Sequence, residues 1–298
     1  MIFYQLQENL MSRQNKEELR KSYLSCCYFE LKLLKPGNVN KISQIKGMSK
    51  LKFERAADIS SKVLIQESKL SSSIYLSVKK CLLELNSNYN LGIILLCAPI
   101  IKASLGRKKN ITELRNSLKK ELKLLEEENS FKIFKAIIDS KPGGLKNFNK
   151  PGNLNKFSKN KFDFWNLMRH GSKHDRISRS YCDLYKEIFE QGLPYFKKLK
   201  KKFTYKYSAE CLYIFFLSID KDSHIQRKFG ESAASIITKK AYFILKKISA
   251  KETELSNNIL LSFDNYLKRK HVNPGTCADL TVTTLLIDKI TDIVYNSN

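Results

Sequence analysis

Seven cysteines are present in this 298-residue chain, yet no two form a CxxC pair and none has zinc-ligand spacing. A metal-stapled module and a redox dithiol are therefore both excluded. Cys26 and Cys27 are adjacent, and Cys81, Cys97, Cys182, Cys211 and Cys277 fall mostly in apolar helical contexts, as buried free thiols of a reducing compartment do. Long hydrophobic runs are missing as well. The most apolar stretch, LGIILLCAPI, reaches about half the ~20 residues that a membrane-spanning helix needs. The N-terminal stretch MIFYQLQENLMSRQNKEELRK has no sustained apolar core of the secretion-signal type. The expectation is a cytoplasmic protein without a membrane partner. Neither GxxxxGK[ST] nor GxGxxG behind a strand occurs, which excludes the two common nucleotide-binding folds. Alternating β-branched runs bounded by hairpin turns are also lacking. The predicted fold is all-α, a single-domain multi-helix bundle spanning residues 1–298.

Acidic residues are few, 29 against 54 Lys and Arg, giving a net charge of +25. That excess invites a nucleic-acid reading. Most of it, however, is lysine spread over helical faces in a chain also rich in Asn, Ile and Ser, so a solvated lysine surface with an anionic small-molecule site is the better reading. The strongest nucleic-acid candidate is YFKKLKKKFTYKY (Tyr195 to Tyr207), where aromatics could stack bases. Its spacing equally suits an amphipathic helix with a wet lysine face, and nucleic acid is not the expected partner. A hydrophobic fraction of 42% excludes general disorder.

Helical periodicity dominates. Helices are predicted over 16–34, about 52–67 and 73–85, then in the apolar run after Gly92, interrupted at Pro99. Asn110 and Glu113 have capping-box spacing ahead of ITELRNSLKKELKLLEEE. Residues 146–162 are the one long stretch of low hydrophobicity and read as a flexible loop. Helices resume at Asp163, with breaks near Gly192–Pro194 and Asp220–Ser223, and GESAASIITKKAYFILKKI is strongly amphipathic. Helices near Ile259–Lys268 and Ala278–Val294 complete the pattern. The echo of KPGNVNK (35–41) in KPGNLNK (150–156) has no similarity around it and is read as coincidence.

Six polar segments hold the unusual chemistry: LKPGNVN (34–40), NSNYNLG (86–92), KPGG (141–144), HDRISRSY (174–181), DSHIQRKFG (222–230) and NPGTCADL (273–280). Only ten arginines exist, yet Arg176, Arg179 and Arg227 fall here, with Arg169 just before; His170, His174, His224 and His271 lie inside or beside the segments. Arginine grips phosphate bidentately, and glycine turns at helix ends let backbone N–H groups approach an anion. A helical HDRISRSY would set Asp175 and Arg179 at i, i+4. Asp222 reads as a cap before Arg227 and Lys228, and Thr276 as a cap of the last helix. His170 and His174 also stand at i, i+4, but without an HExxH frame they are not read as a metal site.

Taken in order, these segments resemble the triphosphoribosyl-dephospho-CoA synthase family. The similarity runs through ELKLLKPGNVN, the pair Gly47-Met48, Phe53 to Ala56, the NxNLG stretch Asn88 to Gly92 with its Ile-Leu-Leu-x-Ala-Pro helix, PGGL (142–145), DRIxRxY (175–181), DSxIxRKxG (222–230) and NPGTxADL (273–280), covering about 20–290. The resemblance implies transfer of the triphosphoribosyl part of ATP to the ribose 2′-hydroxyl of 3′-dephospho-CoA, releasing adenine, for synthesis of a prosthetic-group precursor. Many members of the lyase-associated branch carry His-Lys where this chain has Asn90-Leu91, and His at Asn40. The forms found here are closer to a branch associated with tetrahydromethanopterin biosynthesis, which leaves open phosphoribosyl pyrophosphate as donor and a pterin–ribitol alcohol as acceptor.

Either chemistry passes through an oxocarbenium-like state. It needs cations and N–H groups for the polyphosphate, a carboxylate for Mg²⁺ and a base for the attacking hydroxyl. The implied catalytic carboxylates are Glu30, Asp175 and Asp279, with Asp175 and Asp279 as the Mg²⁺ candidates. Phosphate and substrate binding falls to Lys35, Gly37, Asn38, Arg176, Arg179, Arg227, Lys228 and Gly275. Asn88, Asn90 and Asn273 are candidate partners for ribose hydroxyls.

Overall fold

A computed structural model describes residues 2–40, 42, 45, 48–105, 110–143, 163–249 and 252–295. The predicted loop at 146–162, and Gly47, lie outside the described residues. In chain order the helices are α1 (Ile2–Glu30), α2 (Lys50–Gln66), α3 (Leu70–Leu85), α4 (Leu91–Ser104), α5 (Ile111–Leu124), α6 (Phe131–Asp139), α7 (Phe164–Gly171), α8 (Arg176–Cys182), α9 (Leu193–Leu199), α10 (Tyr205–Ile219), α11 (Ser223–Ile248), α12 (Glu254–Arg269) and α13 (Gly275–Tyr295). A π-helical turn, Glu187–Gly192, leads into α9. Among the described residues there is no strand, only an isolated bridge between Ile45 and Met48. The fold is all-α, as predicted.

Two helices that are buried nearly all round, α4 and α13, form the centre, and their sequences show why. LGIILLCAPIIKA presents apolar side chains on every face, and so does most of α13. Helix α13 also buries Thr281, Thr283, Thr284 and Thr291, which is tolerable because each hydroxyl donates to the carbonyl four residues earlier. Around this pair, α1, α10 and α9 pack on α13, while α3 and α5 pack on α4. The outer helices are amphipathic: α5 buries Leu114, Leu118 and Leu122 at four-residue spacing. Its cap is the predicted one, Asn110 Oδ1 accepting from Glu113 N at 2.9 Å.

Pro99 does not interrupt α4, contrary to the prediction. Proline removes the N–H that would serve the Leu95 carbonyl. Tyr181 replaces it, donating its hydroxyl to Leu95 O at 2.7 Å, and Tyr185 donates to Leu96 O at 3.0 Å. Three other expectations change. Helix α1 begins at Ile2, well before 16. The tract Tyr195 to Tyr207 is broken after Leu199 and restarts at Tyr205, capped by Thr204. Most of its aromatics are engaged within the protein, Tyr205 being the exposed one: Phe196 is buried, Tyr195 stacks on Phe215 with centroids 4.3 Å apart, and Tyr207 donates to Ile248 O. Helix α11 joins DSHIQRKFG to the amphipathic segment after it, with its one break at Gly230 (φ 87°). No helix among the described residues is long and apolar enough to cross a membrane.

Candidate active site

The KPGN turn is held from behind by three buried groups. Leu34 N donates to Glu210 Oε1 at 2.8 Å, Tyr213 donates its hydroxyl to Pro36 O at 2.8 Å, and Gly37 N donates to Asp264 Oδ1 at 2.8 Å. Asn40 adds bonds to Lys35 O, Asn38 O and Asp264. Gly37 is obligatory here: its φ is +80°, and a Cβ would stand 2.7 Å from Val272 O. The turn thus packs against the start of NPGT. Lys35 is fully buried and pairs with Glu30 at the end of α1, also reaching Asn38 Oδ1 at 3.3 Å.

A second knot joins α8, α11 and α13. Asp222 caps α11 by accepting from His224 N and Ile225 N, and its other oxygen accepts from Cys277 N at 2.8 Å, so one carboxylate closes two helix starts. Helix α13 begins at Gly275, so Thr276 lies inside its first turn and Asp222 takes the capping role expected of Thr276. Asp175 caps α8 at Ser178 N and holds Arg227 through its second oxygen; Arg176 N donates to Ser223 Oγ at 2.8 Å.

These turns surround one cavity of about 1110 Å³. Its floor is Asp279, one helical turn past Gly275. Helix α4 starts directly against this carboxylate: a Cβ on Gly92 would lie 2.0 Å from Asp279 Oδ2. The cationic wall comes from Arg227 and Lys228 of α11, Lys268 of α12 and Lys141 after α6. Arg227 has a buried Nε with no hydrogen-bond partner, and Asn273 has a buried, unpartnered Oδ1. Glu30, Gly37, Asn38, Asn88, Asp139, Thr276 and the two histidines His224 and His271 add to the polar lining.

The electrostatics separate the acids. Burial, then the neighbouring Asp222 and Glu30, push the Asp279 carboxyl well above the usual range, and Lys35 and Arg227 offset this only in part. Glu30 is also raised by burial, but Lys35 opposes the rise by direct contact; burial in turn lowers the Lys35 amine. Burial first, with Arg227 and Lys228 acting in the same direction, lowers the His224 imidazole against the pull of Asp222.

Of the residues singled out in the sequence, the cavity lining gathers Glu30, Gly37, Asn38, Asn88, Arg227, Lys228, Asn273, Gly275 and Asp279. Lys35 stands behind it as the partner of Glu30. Asn90 is buried, donating to Phe53 O at 3.2 Å, while Asn88 Oδ1 accepts from Leu91 N at the start of α4. Asp175, Arg176 and Arg179 stay outside the lining. Arg176 is 1% exposed and bonds Glu187 through two nitrogens, with Asp220 O and Cys277 Sγ taking a third. Arg179 pairs with Asp220 at 2.6 Å; the anticipated i, i+4 pair with Asp175 does not form, because Asp175 is the cap and points back to its own helix start and to Arg227. Both Asp175 oxygens are therefore occupied; of the three carboxylates singled out in the sequence, only Asp279 makes no side-chain hydrogen bond among the described residues, and Asp139 is a further carboxylate of the lining. His170 Nδ1 lies 2.8 Å from Asn166 O, and no group of three or more His, Cys, Asp or Glu among the described residues could hold a metal.

The sequence reading omitted Lys141, His224, Lys268, His271 and Gly92 from the site. Gly92, Lys141 and His224 lay within three of the singled-out segments and His271 beside one; Glu210 and Asp264, which fix the KPGN turn, carried no local signal at all.

Comparison with known proteins converges on one group. Residues 16–297 match the family described as ATP:dephospho-CoA triphosphoribosyl transferase. A crystal structure from Archaeoglobus fulgidus, of a protein provisionally named a triphosphoribosyl-dephospho-CoA synthase, superposes with a TM-score of 0.60 at 20% identity, covering 80% of this chain and 98% of that one. It shows a shared fold. No curated protein matches the chain.

Proposed function

The chain belongs to the ATP:dephospho-CoA triphosphoribosyl transferase family, and from that premise we propose that it moves the 5-triphosphoribosyl group of ATP to the ribose 2′-hydroxyl of 3′-dephospho-CoA. The bond from ribose C1′ to adenine N9 breaks, a C1′–O bond to the acceptor forms, and the hydroxyl proton is balanced by the proton that leaves on adenine. One observation carries this reading: distant turns close on a cavity with a wall of cations and, at the start of the last helix, the carboxylate of Asp279 packed against Gly92. The wall matches a triphosphate, and the unpaired Nε of Arg227 is a donor awaiting an anion.

In this reading Asp279, whose carboxyl is pushed upward by burial and by its acidic neighbours, donates to the departing adenine. Glu30, kept closer to its charged form by Lys35, takes the proton of the attacking hydroxyl. Asp175 is a positioning residue that orients Arg227 toward the phosphates. Mg²⁺ brought in with the triphosphate would neutralise phosphate charge; of the two carboxylates expected to hold it, Asp279 lines the cavity and Asp175 does not. Asn38, Asn88 and Asn273, all in the cavity lining, are the side chains this reading offers to the ribose hydroxyls.

The test is to incubate pure protein with Mg²⁺, ATP and dephospho-CoA and to quantify adenine by chromatography and the product by mass. Adenine release that requires dephospho-CoA is the expected result. Silence with that pair, together with pyrophosphate release from phosphoribosyl pyrophosphate and a pterin–ribitol acceptor, would overturn it.

A further inference from the structure

Cations are concentrated on the α11–α12 wall of the cavity. The lining drawn from α2 and the segment before it, from α3 and from the turn before α4 is of another kind: Phe53, Leu82, Tyr89, Met48 and Ile45. Phe53 and Tyr89 meet edge to face, with centroids 5.0 Å apart and an interplanar angle of 88°, and both are half-buried. The pair is fixed, because Asn90 Nδ2 donates to Phe53 O at 3.2 Å and locks the turn onto α2. Lys52 Nζ lies 5.9 Å from the Tyr89 ring centre on α2. Both rings line the cavity, and aromatic side chains receive a flat aromatic ligand by offset stacking or edge-to-face contact.

We propose that Phe53 and Tyr89 form a purine-stacking subsite for the adenine of a substrate nucleotide. This rests on the transferase reading above and specifies how that cavity orients its ligand. A nucleotide carries an apolar base at one end and anionic phosphates at the other, and the lining divides in the same way. The position suits the reaction. Tyr89 is three residues before Gly92, so their Cα atoms are at most about 10 Å apart, and Gly92 packs on Asp279. A base stacked on Tyr89 lies within reach of the acid that protonates it. Both donor and acceptor contain adenine, so the shared chemistry is purine stacking, and the kinetics below assign its source.

The experiment measures KM for ATP and for dephospho-CoA in Tyr89→Ala and Phe53→Leu, the second of which keeps an apolar side chain of similar bulk. Loss of one stacking partner, about 1–3 kcal/mol, corresponds to an increase of about 5- to 150-fold in one KM, exceeding any fall in kcat. A rise confined to ATP assigns the donor base; a rise confined to dephospho-CoA assigns the acceptor base. Unchanged KM values for both substrates in either folded variant would overturn the subsite while leaving the reaction itself standing. As a readout independent of turnover, calorimetry should show adenosine binding to the wild-type protein more tightly than ribose 5-phosphate, with the preference lost in Phe53→Leu. Equal binding of the two would also refute the proposal, whichever transfer reaction the protein performs.

Discussion

Replacing Gly92 with alanine tests the central geometry with a single methyl group. That carbon would stand 2.0 Å from Oδ2 and 2.5 Å from Cγ of Asp279. Comfortable contact is about 3.5 Å, so the carboxylate must withdraw by roughly 1.5 Å. Rotation of the Asp279 side chain can relieve the clash, so stability should change little. Overpacking costs about 1–3 kcal/mol, and removing a helical glycine returns about 0.5–1 kcal/mol. The balance, about 1 kcal/mol, moves Tm by no more than about 4 °C in a chain of this size. Catalysis should suffer far more, because a displacement of about 1 Å at a reacting group costs about 10²-fold in rate. Circular dichroism melting and chromatographic adenine release read the two effects separately. Asp279→Asn should lose at least as much activity, and the double variant should be no worse than Asp279→Asn alone, since both changes act through one carboxylate. If Gly92→Ala folds normally and keeps activity within about threefold of wild type, the place of Asp279 on the floor of the site is refuted.

Two further substitutions separate framework from site. Glu187→Ala strands the guanidinium of Arg176, which is 1% exposed, and should cost about 3–5 kcal/mol in urea unfolding; an unaltered midpoint with a selective rise in KM for ATP would show instead that Arg176 grips substrate. Tyr181→Phe leaves the Leu95 carbonyl without a donor and should cost about 1–3 kcal/mol. In a Pro99→Ala background the restored N–H serves that carbonyl, so the cost should shrink; equal losses in both backgrounds would break the link between the proline and the tyrosine.

The sequence by itself determined the class of the fold. Apolar residues on every face of LGIILLCAPIIKA and of the last helix require burial all round, and that requirement makes α4 and α13 the centre. Asn110 and Asp222 announced their caps because capping depends on residues only a few positions away. The glycine turns and their order were also legible, since a left-handed φ at Gly37 needs the residue that tolerates it. Direction of side chains was not. Arg176, Arg179 and Arg227 look alike along the chain, yet two are paired with Glu187 and Asp220 in the framework while one faces the cavity. The partners that decide this, like Glu210 and Asp264 behind the KPGN turn, lie far away in the sequence and become neighbours only when α10, α11 and α12 pack. The same packing decides which carboxylate is engaged: Asp175 and Asp222 are consumed by backbone N–H groups and an arginine, whereas Asp279, packed against Gly92, makes no side-chain hydrogen bond among the described residues.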